Sequence, residues 1–489
     1  MPDVRPEPPP PRPGWSNRVI YSRRAGGYAE RPHQILLLDD DALDIARELF
    51  PEPVGSKETI EIEGSRDAYR IFIPGDVDDA VAELRYRGAR VEPNYVMFAT
   101  PVYANPVYAN PVYANPVYAN PVYANPVYAN PVYANPVYAN PVYANPVYAN
   151  PVYANPVYAN PVYASPVYAN PVYASSTLAN SFVCSGERES TARPAAKPEH
   201  TPPAYDRASS KKPKVVILDT GIADKSTCPP MLSALSKQFP GQREKPDGQD
   251  PENPANGFLD PASGHGTFIA GLVHLLAPGR RIMPVRVVMP FGDVDVWSVI
   301  GALEKLRAGK HLDDRTIVNM SFGGYADDDM EALSAAVRRV RSTGAVVVAS
   351  AGNDATDRPM FPACLPDVVA VASIDPYGPA PYSNHGPWVD ACAPGSDLVS
   401  AFFEFNGKME VFPHPGSADP DNFKHWARWT GTSFAAPIVS AALLRQMTML
   451  DQPAGDAVVQ LINAEGLFRL PGYGTVINHT PLDPGCLAG

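Results

Sequence analysis

The stretch KVVILDTGI, from Lys214 to Ile222, is an almost wholly apolar run that ends in a carboxylate, Asp219. A parallel strand buried on both faces needs such a run, whereas a half-exposed strand alternates apolar and polar residues. Similar runs follow at 281–288, 315–322, 345–353 and 367–374, with helical patterns between them. Strands alternating with helices predict an α/β fold with a doubly wound, mostly parallel sheet. Ligands of such sheets bind at the carboxyl ends of the strands.

Three residues with reactive side chains lie at the ends of these elements. Asp219 ends the first strand, His265 opens an apolar helix in SGHGTFIAGLV, and Ser433 opens another in GTSFAAPIVSAALL, where Pro437 should kink or delay the helix. Singly, each has an ordinary explanation as a turn residue, a core histidine or a helix cap. However, a hydroxyl near the positive end of a helix is also a sound position for a nucleophile.

Together, these motifs resemble those of a known family. DTGI, GHGTFIAG and GTSFAAP, in this order, are similar to the three active-site motifs of subtilisin-like serine proteases, which use the chain order Asp, His, Ser. Further segments resemble the family as well: NMSFGG, ASAGND, FPACLPDVVAVAS, YSNHGPWVDACAPG and GYGTVIN. The resemblance covers roughly residues 214 to 478.

The resemblance implies a role for each matching residue. Ser433 would attack the scissile carbonyl, His265 would take its proton, and Asp219 would hold the imidazolium. Asn353 would donate its side-chain amide to the oxyanion. The implied substrate-binding residues are Ser321, Phe322, Gly323, Ala349, Ser350, Ala351 and Met360. Met360 stands where the family often has glycine at the pocket floor, which predicts a shortened pocket and a preference for Leu or Met before the cut.

Residues 31–100 predict a second, smaller domain. Their patterns run strand, helix, two strands, helix, strand, with Asp76 placed to cap the second helix and Gly88 to end it. Subtilisin-like proteases are commonly made with a ferredoxin-like α+β prodomain that plugs the cleft. The resemblance therefore implies that residues 31–100 are an intramolecular inhibitor whose tail, Tyr95 to Thr100, lies in the cleft. Pro101 follows directly, and proline after a scissile bond should slow its cleavage.

A pentapeptide array separates the two predicted domains. Residues 101–175 repeat PVYAN, with Ser165 and Ser175 replacing Asn in two copies. The array resembles pentapeptide-repeat β-helices, but a proline at every fifth residue removes one backbone donor per copy from any ladder. An extended tether is therefore favoured over an ordered solenoid. A Pro-rich segment predicted to be disordered (1–30) and a polar linker (176–213) complete the division, with the catalytic domain at 214–489.

Composition argues against several other functions. The net charge of −12 is unsuited to nucleic-acid binding. Neither HExxH nor CxxC occurs, and five scattered cysteines favour buried thiols over a disulfide framework. An acidic loop holds Asp247, Asp250, Glu252 and Asp260, which could bind calcium, but a solvated surface loop is favoured, so no metal or other cofactor is predicted.

Targeting signals are also not evident in the sequence. No run approaches the ~20 apolar residues of a membrane span, so no span is predicted. The N-terminus contains no apolar core of a secretory signal, which predicts a cytoplasmic protein, or a secreted one if the start codon is misassigned.

The leading prediction is a serine endopeptidase that hydrolyses peptide bonds in protein or peptide substrates and is made as an autoinhibited zymogen. Two alternatives stay open. One is a processing protease dedicated to a single partner. The other is an interaction scaffold that uses the array and carries an inactive protease.

Overall fold

A computed structural model describes residues 20–21, 28–50, 57–62, 67–99, 193–195, 212–244, 262–290, 292–326, 329–376, 378–406 and 422–477. The predicted array at 101–175, most of the predicted disordered segment 1–30 and the acidic loop with its four candidate calcium ligands lie outside these residues. Of the predicted linker 176–213, the described residues are 193–195 and 212–213.

The elements are numbered in chain order over the described residues. The helices are α1 Asp40–Leu49, α2 Val77–Tyr86, α3 Ser233–Gln238, α4 His265–Leu276, α5 Val296–Ala308, α6 Glu331–Arg341, α7 Thr432–Leu450 and α8 Ala454–Val458. The strands are β1 Ile20–Tyr21, β2 Ala29–Leu37, β3 Glu58–Ile60, β4 Ala68–Phe72, β5 Val91–Ala99, β6 Arg193–Pro194, β7 Lys214–Asp219, β8 Ile222–Ala223, β9 Arg243–Glu244, β10 Arg281–Arg286, β11 Asp293–Asp295, β12 Thr316–Met320, β13 Phe322–Gly323, β14 Val346–Ser350, β15 Val368–Asp375, β16 Gly378–Pro379, β17 Ala391–Pro394, β18 Leu398–Asn406, β19 Asn422–Trp429, β20 Arg469–Leu470 and β21 Gly474–Val476.

A mostly parallel sheet forms the centre of the C-terminal part. Its strands lie in the order β10-β7-β12-β14-β15-β17-β21-β20, and neighbours from β10 to β21 pair in parallel. Along β7, Val215 and Ile217 pack on one side with α4 and α7, whereas Val216 and Leu218 pack on the other with α5 and α6. Both faces of β7 are therefore buried, and the predicted doubly wound α/β sheet is confirmed.

The N-terminal part is an antiparallel sheet with two helices on one face. Its strands lie in the order β5-β2-β4-β3. Ile35 and Leu37 of β2 pack against α1 and α2, while Leu36 between them packs on the opposite face with residues of α5. Asp76 caps α2 by accepting a hydrogen bond from the backbone of Asp79, and Gly88 follows the helix with a left-handed φ of 89°. Both of these sequence predictions are confirmed.

Strand β5 joins the two parts of the molecule. Beyond its pairing with β2, its last residues pair antiparallel with β11 on one edge and with β13 on the other. Arg31 adds ion pairs across the same boundary, to Asp293 at 2.7 Å and to Asp295 at 3.1 Å. The N-terminal sheet therefore continues directly into strands that belong to the C-terminal part.

Helix α7 is the central helix of the C-terminal part. Over the described residues, it is long and apolar enough to cross a membrane by length and composition, although the sequence predicts no such span. However, 78% of its most apolar window is buried within the protein, and helices at the centre of a core pass the same test. Helix α7 also starts at Thr432 and continues through Pro437, so the proline does not delay its start.

Candidate active site

Asp219 and His265 meet at the carboxyl end of the parallel sheet. Asp219 is the last residue of β7 and His265 the first of α4. Oδ1 of Asp219 lies 2.7 Å from Nδ1 of His265, and both side chains are fully buried. The glycine that follows His265 allows this approach, because a Cβ at Gly266 would overlap the carbonyl oxygen of Gly221. A buried carboxylate needs such a partner, so the pair is mutually required.

Aromatic rings enclose the imidazole of His265. Trp429 meets it edge-on with ring centroids 5.6 Å apart, and Phe434 lies at 5.3 Å. Among the described residues, Nε2 of His265 has no hydrogen-bond partner. The bond from Nδ1 to Asp219 fixes the ring orientation, so Nε2 is the nitrogen presented to a reacting group.

Ser433 is the second residue of α7, and it is tied to Ser321 by two hydrogen bonds. The hydroxyl of Ser433 donates to the carbonyl oxygen of Ser321 at 3.0 Å, and the hydroxyl of Ser321 donates to the carbonyl oxygen of Ser433 at 2.8 Å. The second bond explains why Pro437 is tolerated. In a regular helix the carbonyl of Ser433 would accept from the N–H of residue 437, which proline lacks. Ser321 supplies the donor instead.

Asn353 lies beside the start of the same helix. Its Oδ1 accepts from the backbone N–H of Thr432 at 3.0 Å and from the hydroxyl of Thr432 at 2.9 Å. Because a backbone N–H can only donate, the side-chain atom facing it must be the oxygen, which orients the NH₂ group of Asn353 away from Thr432. Thr432 therefore positions Asn353, a role that the sequence alone did not reveal.

The predicted substrate-binding residues line a slot next to Ser433. Ser321, Phe322 and Gly323 follow β12 on one side. On the other side Ala349 and Ser350 end β14, and Ala351 follows it. All six residues are buried. The side chain of Met360 lies between the two sides. Its Sδ occupies the space that a Cβ on Gly352 would need, and its Cε and Cγ would lie 3.0 Å from a Cβ on Gly323. Met360 is buried, with 4% of its surface exposed.

Glu244 is a buried carboxyl group behind the Asp219–His265 pair. Its Oε1 accepts from the backbone N–H of Gly264 at 2.7 Å, and its Oε2 lies 3.0 Å from the hydroxyl of Thr220. It thus links the residue after Asp219 to the residue before His265. Burial raises the pKa of Glu244 to about 8, with the neighbouring charge of Asp219 adding to the increase, while its hydrogen bonds and the charge of Arg286 lower the pKa. No sequence signal marks this residue, which precedes the acidic loop as one of several charged residues.

The described residues contain no cluster of three or more His, Cys, Asp or Glu side chains suited to holding a metal ion. The acidic loop of candidate calcium ligands is not among them. Within the same residues Cys228, Cys364 and Cys392 are free thiols.

Comparison with known proteins identifies the family of this chain. The profile of the Subtilase family matches residues 210–462. An extracellular protease of Xanthomonas campestris pv. campestris is 28% identical over 55% of this chain and 50% of its own length, and thermitase of Thermoactinomyces vulgaris is 30% identical over 44% of this chain and 75% of its own. The chain therefore belongs to the subtilase family, that of the subtilisin-like serine proteases.

A solved structure shares the fold. Fervidolysin from Fervidobacterium pennivorans, described as a keratinolytic enzyme related to subtilisin, superposes with a TM-score of 0.50 at 20% identity, covering 97% of this chain and 63% of its own. Several of the curated relatives are much longer than the matched region, and the chain spans about half their length (42% to 53% in three of them).

The titration of Glu244 should make stability depend on pH. The folded state holds this proton up to about pH 8, whereas the unfolded state releases it near the ordinary value of 4.5. Since the folded state then binds more protons, stability falls as the pH rises between these values. Glu244→Gln imitates the neutral acid and should remove this loss, of up to about 1.4 kcal/mol per pH unit.

Urea denaturation from pH 5 to pH 8, in a Ser433→Ala background that excludes self-cleavage, measures the difference. Replacing the exposed Glu48 by Gln is the matched control and should leave the pH dependence unchanged. Parallel stability curves for wild type and Glu244→Gln would contradict the prediction.

Proposed function

We propose that the chain is a serine endopeptidase that is made as an autoinhibited zymogen. The observation that carries the proposal is the convergence of the buried Asp219–His265 pair, the helix-start serine Ser433 and the oriented amide of Asn353 at the carboxyl end of a parallel sheet. Family membership supports the same reaction class. Protein or peptide chains are the substrates that this reaction implies.

The mechanism assigns one step to each residue. Rotation of the Ser433 hydroxyl away from the Ser321 carbonyl directs Oγ to Nε2 of His265, which takes its proton as Oγ attacks the scissile carbonyl carbon. Asp219 holds the imidazolium through Nδ1. The amide NH₂ of Asn353 and the N–H groups in the first turn of α7 stabilise the negative oxygen of the tetrahedral intermediate. His265 then returns the proton to the leaving amine, and water hydrolyses the acyl-enzyme.

The N-terminal part is proposed to be the inhibitor, a prodomain of ferredoxin-like fold. Its strand order β5-β2-β4-β3 and its two helices on one face support this fold. The end of β5 supports the inhibition. Phe98 pairs with both Asp293 and Gly323, and Ala99 pairs with Phe322, so the tail occupies the space between two strands beside Ser433. Thr100, also predicted to lie in the cleft, is outside the described residues.

Loss of the proposed catalytic groups should abolish turnover. Ser433→Ala and His265→Ala should each remove nearly all activity, and the double variant should lose little more, because the triad acts as a unit. Asn353→Ala should lower kcat about 10²- to 10³-fold with little change in KM, since the oxyanion exists only in the transition state. Steady-state kinetics on a fluorogenic peptide measure these effects. Unchanged activity in Ser433→Ala would reject the protease and leave the interaction scaffold as the better explanation.

Met360 should restrict the residue before the cut. Because its side chain lies between Gly323 and Gly352, we expect it to shorten the slot, so that cleavage after Leu or Met is preferred to cleavage after bulky aromatic residues. Met360→Gly should raise kcat/KM for Phe and Tyr at this position about 10- to 100-fold. The control is Met449→Ala. Met449 is exposed and lies on α7, about 24 Å along the helix from Ser433. A wild-type peptide profile dominated by Phe, Arg or Glu would show that the slot is misassigned.

Weakening the boundary between the two parts should open the cleft. Arg31→Ala leaves Asp293 and Asp295 without their ion pairs, and a buried charge that loses its partner is strongly destabilising. We expect a fluorophosphonate to label Ser433 at least tenfold faster in this variant of the full chain. Arg87→Ala, which breaks an exposed ion pair with Glu83 inside the N-terminal part, is the matched control. Equal labelling rates in Arg31→Ala and wild type would argue against inhibition by this part.

A further inference from the structure

Two described segments that flank the pentapeptide array both lie against strands that lead to Ser433. The last described residue before the array is Ala99, at the end of β5, and the next described segment after it is Arg193 to Ala195. The second segment belongs to the predicted linker, yet it forms strand β6 and pairs with β19.

The first segment approaches Ser433. Strand β5 is antiparallel to β13, with Ala99 opposite Phe322 and Phe98 opposite Gly323. Since Ser321 directly precedes Phe322, β5 runs towards Ser321 as it advances. The carbonyl oxygen of Ser321 accepts the hydroxyl of Ser433 at 3.0 Å. The chain that leaves Ala99 therefore points at the proposed nucleophile.

The second segment leads away from Ser433. Strand β19 runs through Trp429 into the start of α7, which carries Ser433. Strand β6 is antiparallel to β19, with Arg193 opposite Arg428 and Pro194 opposite Ala427. An antiparallel strand here must run away from Ser433 as it advances. The polarity of β6 is therefore that of a segment leading away from the nucleophile.

The two directions combine into the path of one substrate. A peptide lying in a protease cleft passes the nucleophile once, with one half before the scissile bond and one half after it. Strand β5 has the position and polarity of the first half, and β6 has those of the second.

The pairing of β6 also suits its sequence. The backbone N–H of Ala195 donates to the carbonyl oxygen of Trp426 at 3.2 Å, so this is a hydrogen-bonded pair. Such pairs alternate along an antiparallel ladder. Pro194, opposite Ala427, therefore takes a position where a missing N–H costs no ladder bond.

We propose that the β19 edge at 426–428 is the binding site for the residues that follow the scissile bond, and that β6 occupies this site as a second inhibitory segment. This proposal rests on the protease function proposed above. In the proposed zymogen, β5 blocks the binding site for residues before the scissile bond, and β6 blocks the binding site for residues after it. A substrate that extends well beyond the scissile bond must displace β6 by strand addition, whereas a short leaving group need not.

Hydrogen exchange in the full chain tests the pairing without requiring catalysis. On an antiparallel strand the N–H and C=O of one residue point to the same side, so the amides of Trp426 and Arg428 face β6. In a Ser433→Ala background, Ala195→Pro removes the donor to Trp426, and these amides should exchange at least tenfold faster. Ala195→Gly keeps the donor and should preserve protection. Wild-type amides that exchange as fast as those of Ala195→Pro would overturn the proposal.

Kinetics test the role of the site in the full chain carrying Arg31→Ala, the variant in which we expect β5 to leave the cleft. Two substrates share the same residues before the scissile bond, but one ends in p-nitroanilide and the other continues for about six residues. Ala195→Pro should lower the KM for the long peptide about tenfold and leave the KM for the anilide unchanged. Equal changes for both substrates would overturn the proposal, since β6 would then only support the fold. If neither substrate is cleaved in the Arg31→Ala background, with or without Ala195→Pro, the proposed protease function fails, and the exchange result still decides whether β6 binds.

Discussion

The buried contact between Asp219 and His265 is the constraint on which the rest of the site depends. It requires a carboxylate at the tip of a strand that is covered on both faces, and a helix that begins directly above it. The approach is so close that no Cβ fits at Gly266. Glu244 links the segments that carry Asp219 and His265, because it accepts hydrogen bonds from the hydroxyl of Thr220 and the backbone N–H of Gly264. A dry environment makes each of these bonds strong and makes the loss of any partner costly.

Ser433 is held in the same manner, by an exchange of hydrogen bonds with Ser321 across the end of the sheet. The exchange connects three elements: β12, which leads into Ser321; β13, which receives the end of β5; and α7, which carries the hydroxyl. One residue, Ser321, thus satisfies the helix carbonyl that Pro437 leaves unpaired and directly precedes Phe322, which pairs with Ala99 of the proposed inhibitory tail. The backbone at Ser321 and Phe322 therefore contacts both Ser433 and the end of β5.

The sequence predicts the parts of this structure that local patterns encode. The apolar run at 214–222 predicts the buried strand and, with it, the place of Asp219, and the motif order predicts the family. The capping of α2 by Asp76 follows from spacing alone. Long-range contacts carry no such signal. Glu244 is one glutamate among charged residues, and Arg193 to Ala195 are ordinary linker residues until β19 provides an edge for them. The width of the slot at Met360 likewise depends on the separation of Gly323 and Gly352, which only the tertiary structure sets.

Strand β5 belongs both to the N-terminal sheet and to the edge of the proposed cleft, and this has a consequence for the proposed activation. While it is bound, Val96 to Ala99 are hydrogen-bonded along both edges, and Tyr95 and Met97 are almost completely buried. Once it is withdrawn, the same residues become an open edge with apolar side chains facing water, a segment prone to aggregation and open to proteolysis. After release, the proposed inhibitor would therefore be degraded more readily than while it is bound. Under the proposed zymogen mechanism, its degradation would remove it from the binding equilibrium and make activation irreversible.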